Sequence, residues 1–148
     1  MAYFYRTDLS EYTETEYPKT VKIRSKKELD DYYCSNKNTY QFHTGFYGEP
    51  GMAEDVFSES SLCNSDKFFS SNFLLFIILE EGSGSNRHRV ESVSSDNGTL
   101  SVSITRVLPE IGTADMAQWH IVLSLDKSLS EMDVVVRLSD SSSAAHHV

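Results

Sequence analysis

The sequence predicts an α+β fold that is mainly β, an antiparallel, sandwich-like meander of strands with one capped helix in its N-terminal half. A run of apolar residues at 73–79 (FLLFIIL) has the length and composition of a central strand that is buried on both faces. Several later segments alternate apolar and polar residues, as half-buried strands do. One clear helical pattern precedes the apolar run. A helix followed by consecutive strands is typical of an α+β domain.

The helix is predicted to begin after Ser25. Ser25 and Glu28 have the spacing of a capping box, in which each side chain satisfies a free backbone N–H at the helix start. Three residues then share one helix face at positions i, i+3 and i+4: Leu29, Tyr32 and Tyr33. Residues 19–24 (KTVKIR) alternate and predict a short amphipathic strand, and residues 3–6 predict an edge strand.

The middle of the chain contains three further patterns. Residues 39–47 are rich in aromatic side chains and predict a strand, with a turn or bulge at Gly45. Residues 48–64 carry Gly, Pro, Ser and Glu and predict a long loop, which is either functional or mobile. Residues 65–70 (SDKFFS) predict one helical turn with Ser65 as its N-cap.

The C-terminal half predicts the meander. Asn97 and Gly98 form the strongest short-range hairpin signal, because both residues tolerate the positive φ of a type I′ turn. Residues 99–107 (TLSVSITRV) alternate most cleanly, and residues 117–125 and 132–138 repeat the pattern.

Length and charge limit the class of protein. A chain of 148 residues suits one domain, which we predict over residues 1–138, followed by a disordered tail over residues 139–148. The formal net charge of −9 repels nucleic-acid phosphates and anionic membranes, so neither is expected as a partner. The apolar run is far shorter than the roughly 20 residues of a membrane-spanning helix. We therefore expect no membrane insertion by this chain.

The cellular compartment stays open at this stage. The start of the chain is polar and acidic, whereas a secretory signal needs a basic start and an apolar run. An exported protein without its signal would show the same pattern. Cys34 and Cys63 allow either one disulfide, which requires an oxidising compartment, or two unpaired thiols.

The sequence predicts no catalytic residue, no cofactor and no metal site. His43, His88 and His120 lack metal-ligand spacing and are interpreted as histidines on the surface or on strand faces. The glycine- and serine-rich segment at 82–85 lacks the strand-to-helix context of a nucleophile elbow, and we predict a flexible hairpin loop there. The successive acids at 80 and 81 should point to opposite faces of a strand and be solvated.

One group of residues is a candidate partner surface. Thr113 and Asp115 are spaced for a turn that side chains stabilise, while Trp119 is expected to bury its ring in the core. The alternative is that this segment and the loop at 82–85 share one edge and bind a partner. The candidate members of that surface are Gly82, Ser83, Gly84, Ser85, Thr113, Asp115 and Trp119.

Three segments carry a resemblance to a known family: DKFF at 66–69, EEGSGS at 80–85 and TRVLPEIGTADMAQWHIV at 105–122. On these residues, roughly the second half of the chain resembles the C-terminal domain of PrcB, a subunit of a bacterial surface protease complex. It looks more closely like a branch of short exported lipoproteins from Gram-positive gut bacteria. Gly84-Ser85-Asn86 stands where that family usually has Gly-Gly-Tyr, and Gln118-Trp119 stands where Pro-Tyr is expected.

The resemblance implies a non-enzymatic accessory or binding domain that acts in the cell envelope, with a protease-complex component as its protein partner. A cytoplasmic location stays open. Two other function classes also stay open. One is a small hydrolase that uses Ser83, Asp115 and His120, and the other is a structural or assembly role through an exposed sheet edge.

Overall fold

The structure is a computed structural model that describes residues 2–142 of the chain. Within that range the strands are β1 (Ala2–Arg6), β2 (Lys19–Ile23), β3 (Asn72–Glu81), β4 (Arg87–Asp96), β5 (Thr99–Leu108), β6 (Ala117–Asp126) and β7 (Asp133–Ser142). The helices are α1 (Lys26–Asn36), a π-helix (Ala53–Phe57), α2 (Asp66–Ser71) and two short 3₁₀ helices (Phe46–Gly48 and Lys127–Leu129).

The fold class predicted from the sequence is confirmed. The protein is α+β and mainly β, and its strands form a four-stranded sheet of order β1-β6-β3-β2 and a three-stranded sheet of order β4-β5-β7. The apolar run at 73–79 lies in β3, an interior strand of the first sheet, and each of its residues is at most 2% exposed. Burial on both faces explains why the run at 73–79 is apolar throughout and does not alternate.

The strand order differs from a simple sequential meander. β4 and β5 form the predicted antiparallel hairpin, with φ of 50° at Asn97 and 80° at Gly98. β6 then joins the other sheet between β1 and β3, and β7 returns to pair with β5 in parallel. The alternation of apolar residues reports which face of a strand is buried, but it says nothing about strand order or direction.

The described chain divides into two compact units. The first contains the residues up to Glu80 together with Gln118–Ser130, and the second contains Glu81–Ala117 and the residues from Glu131 onward. The single domain predicted over residues 1–138 stays a prediction. Strand β7 extends to Ser142, so the prediction of a disordered tail is wrong for residues 139–142. The rest of that tail, residues 143–148, lies outside the described residues.

Both N-cap serines predicted from the sequence are confirmed. The Ser25 side chain accepts a hydrogen bond of 3.0 Å from the backbone N–H of Glu28, and Ser65 accepts one of 3.1 Å from that of Phe68. Each cap satisfies one of the backbone donors that a helix start leaves free. Leu29 of α1 is fully buried, as its position on the apolar face predicts.

The middle of the chain departs from the prediction in two places. Residues 39–47 form no strand; Tyr40 makes an isolated bridge to Leu9, and a 3₁₀ helix begins at Phe46. The predicted loop at 48–64 instead contains the π-helix and supplies buried residues to the core of the first unit: Met52, Ala53, Val56 and Phe57. In the described chain, no helix is both long and apolar enough to span a membrane.

Candidate functional site

The segment at 82–85 lies in the second unit and joins β3 to β4. Those two strands belong to different sheets, so the segment is not the hairpin loop predicted from the sequence. Gly84 within the segment and Asn86 directly after the segment are both buried. The backbone of this loop therefore needs hydrogen-bond partners from elsewhere in the unit, because buried N–H and C=O groups are rarely left unpaired.

Those partners come from residues 113–115. The Ser83 hydroxyl lies 3.1 Å from the Thr113 hydroxyl and 2.8 Å from that of Ser85. The backbone N–H of Thr113 donates to Ser85 Oγ at 3.1 Å, and the backbone N–H of Gly84 donates to Asp115 Oδ1 at 3.1 Å. We call these five residues (Ser83, Gly84, Ser85, Thr113 and Asp115) the loop clamp, since they hold the two segments together.

The segment held by the loop clamp exposes apolar side chains to water. Gly112 packs so closely on the clamp that a Cβ there would lie 3.3 Å from Ser83 Oγ and 3.5 Å from Ser85 Oγ. Its neighbour Ile111 is 90% exposed, and Met116 at the other end of the segment is 54% exposed. Ile111 is not among the surface residues predicted from the sequence. The signal that marks it is a single large apolar residue between the chain breakers Pro109 and Gly112.

A buried carboxylate precedes the loop. Glu81 is 2% exposed, and it accepts hydrogen bonds from His88 Nε2 at 2.9 Å and from Asn86 Nδ2 at 3.0 Å. The Arg106 guanidinium forms an ion pair with it at 2.6 Å. Burial alone would raise the pKa of Glu81, but these three partners outweigh it and lower the pKa to about 2. The prediction of a solvated Glu81 is therefore wrong, and this carboxylate anchors the start of the loop.

Two of the candidate residues do not join the clamp. Gly82 is exposed at the start of the loop. Trp119 lies in β6 within the first unit and is 5% exposed, as the packing interpretation predicts. The structure therefore brings together five of the seven sequence-predicted members of the partner surface.

His120 is buried in the core of the first unit. Its Nδ1 lies 2.6 Å from the Thr7 hydroxyl, and its Nε2 lies 2.7 Å from the Tyr32 hydroxyl. Both ring nitrogens are thus occupied, and neither is left to take a proton from Ser83 or to donate to Asp115. Burial lowers the pKa of His120 to about 3, so the ring is neutral at physiological pH. His120 lies on a face of β6, one of the two positions that the sequence predicts, but it is buried and not at the surface.

The remaining candidates for chemistry are two histidines and two cysteines. His43 is exposed and its Nε2 contacts the Tyr33 hydroxyl. His88 belongs to the second sheet and His120 to the first, so they do not face each other across adjacent strands. Cys34 and Cys63 are both free thiols. Over residues 2–142, no three His, Cys, Asp or Glu side chains come together as metal ligands would.

Comparisons with known proteins returned no match: the chain matches no family model, no curated protein and no solved structure. The resemblance to the PrcB-like family, which depends on the quoted segments, stays a prediction.

Proposed function

We propose that this protein is a non-catalytic interaction domain that binds a protein partner of the cell envelope through the segment held by the loop clamp. One observation carries the proposal. Ile111 is 90% exposed, on a segment that is fixed by hydrogen bonds of 3.1 Å at Thr113 and Asp115.

A fixed apolar side chain is suited to binding a protein. Burying Ile111 in a partner removes apolar surface from water, which favours association. A segment that is already held in place loses little conformational freedom when it binds, so more of that gain is available for affinity. The hydrogen bonds of the clamp satisfy its polar groups internally, so docking does not need to replace them.

The PrcB-like resemblance supports the identity and location of the partner. Its segments at 80–85 and 105–122 contain the clamp residues, and PrcB itself is a subunit of a bacterial surface protease complex. We therefore propose a protease-complex component as the partner and an extracytoplasmic location for the protein. The hydrolase alternative is not favoured. It needs His120 as its base, and both ring nitrogens of His120 already bind Thr7 and Tyr32.

The test compares capture of a partner from the envelope fraction of the source by the wild-type protein and by Ile111→Asp. Tyr12→Asp is the matched control, because it places the same charge at an apolar residue that is 70% exposed in the first unit. We expect Ile111→Asp to weaken binding to the captured partner at least tenfold and Tyr12→Asp to leave it unchanged. Sedimentation of the wild-type protein alone separates partner binding from self-assembly.

Two results contradict the proposal. The first is a partner that binds Ile111→Asp as tightly as it binds the wild-type protein. The second is repeated recovery of the protein alone from the envelope fraction, together with its location in the cytosol.

A further inference from the structure

A pocket of about 480 Å³ opens in the first unit. Its walls include Tyr5 of β1, Phe68 of α2, Leu74 of β3 and Val122 of β6. Leu74 and Val122 are 2% exposed and belong to the core, so the inner end of the pocket is apolar. This volume lies within the roughly 300–1,000 Å³ range of pockets that bind small organic molecules.

The pocket has a single charged group. Of the described residues that line it, Asp55 alone carries a formal charge, and none is Lys, Arg or His. Asp55 is exposed, so its carboxylate lies at the mouth of the pocket. Its Oδ2 accepts a hydrogen bond of 3.0 Å from the Tyr5 hydroxyl, which holds the carboxylate toward the aromatic wall.

The π-helix determines the position of this carboxylate. The backbone N–H of Ser58 donates to the carbonyl of Ala53 at 2.9 Å, an i to i+5 bond that closes the wider turn. That turn buries Val56 and Phe57 and leaves Asp55 exposed beside the pocket. Single π-helical turns are rare and are often found at functional sites, where they reposition a side chain.

The residues that line the pocket favour a positively charged ligand. A carboxylate attracts a cation and repels an anion, and the faces of aromatic rings such as those of Tyr3, Tyr5 and Phe68 also attract cations. The net charge of −9 acts in the same direction over a longer range. We infer that the pocket binds organic ammonium ions with an apolar body, the body lying against Leu74 and Val122 and the ammonium group at Asp55.

The test uses three probes that share one body: 4-phenylbutylammonium, 4-phenylbutanol and 4-phenylbutyrate. Calorimetric titration of the full chain should give the tightest binding for the ammonium ion and the weakest for the carboxylate. Asp55→Asn should weaken ammonium binding about threefold and leave the alcohol unchanged, because an exposed ion pair contributes modestly. Glu54→Gln is the matched control, since it removes a neighbouring exposed acid that does not line the pocket.

The two free cysteines locate the bound probe. Cys63 lines the pocket, whereas Cys34 is exposed and lies outside it. We expect saturating 4-phenylbutylammonium to slow the alkylation of Cys63 by iodoacetamide and to leave that of Cys34 unchanged. The inference is overturned if the ammonium probe does not bind, if the alcohol binds equally well, or if Cys63 is not protected when the probe is bound. None of these results bears on the proposed role of Ile111, which lies in the other unit.

Discussion

At the scale of single residues, His120 joins three segments of the first unit. Thr7 lies beyond β1, Tyr32 lies in α1, and the histidine itself lies in β6. A neutral imidazole donates through one ring nitrogen and accepts through the other, so two hydroxyl groups satisfy it completely. Its ring also packs edge-on against Tyr40 and Phe42, with centroids 4.8 and 5.3 Å away. A proton added to this ring would be a buried charge without a counter-ion.

The buried ring of His120 makes the stability of the protein depend on pH. Burial, with a smaller effect of Lys19, lowers the pKa of His120 from its ordinary value of 6.5 to about 3 in the folded protein. Below pH 6.5 the unfolded chain binds a proton that the folded protein does not, so stability falls as the pH falls. Between pH 6.5 and pH 5 we expect His120 to contribute a loss of about 2 kcal/mol in the free energy of unfolding.

His120→Gln tests this, because glutamine also donates and accepts hydrogen bonds but does not titrate. Urea unfolding at several pH values, followed by the fluorescence of the single tryptophan, should show a shallower pH dependence for His120→Gln. His43→Gln is the control, since His43 is exposed, and it should keep the wild-type slope. An unchanged slope in His120→Gln would show that the ring does not resist protonation in the folded state.

The role of His120 could not be predicted from the sequence, and the reason is physical. In β6, Trp119 and Ile121 alternate with Gln118 and His120, and this alternation predicts a polar face in water. The first seven residues of β6 are buried all the same. The polar residues are satisfied by distant groups, since the Gln118 amide donates to Glu80 and its carbonyl accepts from the N–H of Leu9, 109 positions away. Only the fold brings such partners together.

At the scale of elements, local chemistry was the reliable guide. The caps of α1 and α2 and the Asn97-Gly98 turn each depend on residues within four positions of one another, and the sequence predicted all three. The prediction failed where an element depends on distant contacts. Residues 39–47 are aromatic because Tyr40 and Phe42 are buried in the core, and not because they pair in a sheet. Their pattern therefore mimics that of a strand.

The candidate site was likewise predictable in its local turns but not in the contacts between them. Gly84 and Asp115 are 31 positions apart, and the sequence indicated each segment as a turn without showing that the two are bonded. The sequence left open whether the two segments share one edge, and the clamp shows that they are hydrogen-bonded to each other. Ile111 was missed because exposure of an apolar side chain depends on the tertiary structure and not on the local pattern.

The N-cap of α1 allows a prediction for that element. Ser25→Ala removes the side chain that accepts the Glu28 N–H, so the free energy of unfolding should fall by about 1 kcal/mol. Ser35→Ala is a matched control within the same helix, at an exposed position. It should raise stability by a few tenths of a kcal/mol, because alanine has the higher helix propensity. Chemical denaturation of both variants measures the difference, and equal effects would mean that the cap does not stabilise α1.

At the scale of the whole molecule, each unit contains one buried ionisable group whose state matters for stability. In the first unit, His120 must remain neutral, which requires a pH that is not too low. In the second unit, Glu81 must remain ionised, because it accepts from His88 and Asn86 and pairs with Arg106. Both requirements act in the same direction, so acid should destabilise the molecule through both units, but over different pH ranges.

The two ranges can be separated. The pKa of Glu81 is lowered from 4.5 to about 2 on folding, so its contribution is fully present above pH 4.5 and is lost as the pH falls toward 2. The loss amounts to about 3 kcal/mol over that range. The contribution of His120 begins to fall earlier, below pH 6.5, and its loss is complete near pH 3. Wild-type stability should therefore decline slowly at first and more steeply below pH 4.5.

Glu81→Gln should remove the steep part of that decline and leave the part above pH 4.5 intact. It should also lower stability at pH 7, because the partly buried Arg106 guanidinium then loses the Glu81 carboxylate and keeps the more exposed Asp140 as a partner. Glu110→Gln, at an exposed acid in the same unit, should keep the wild-type profile. Free energies of unfolding from far-UV circular dichroism at pH 7, 5 and 3.5 measure all three proteins. If Glu81→Gln loses as much stability as the wild-type protein between pH 5 and pH 3.5, then the Glu81 network does not carry the acid sensitivity of the second unit.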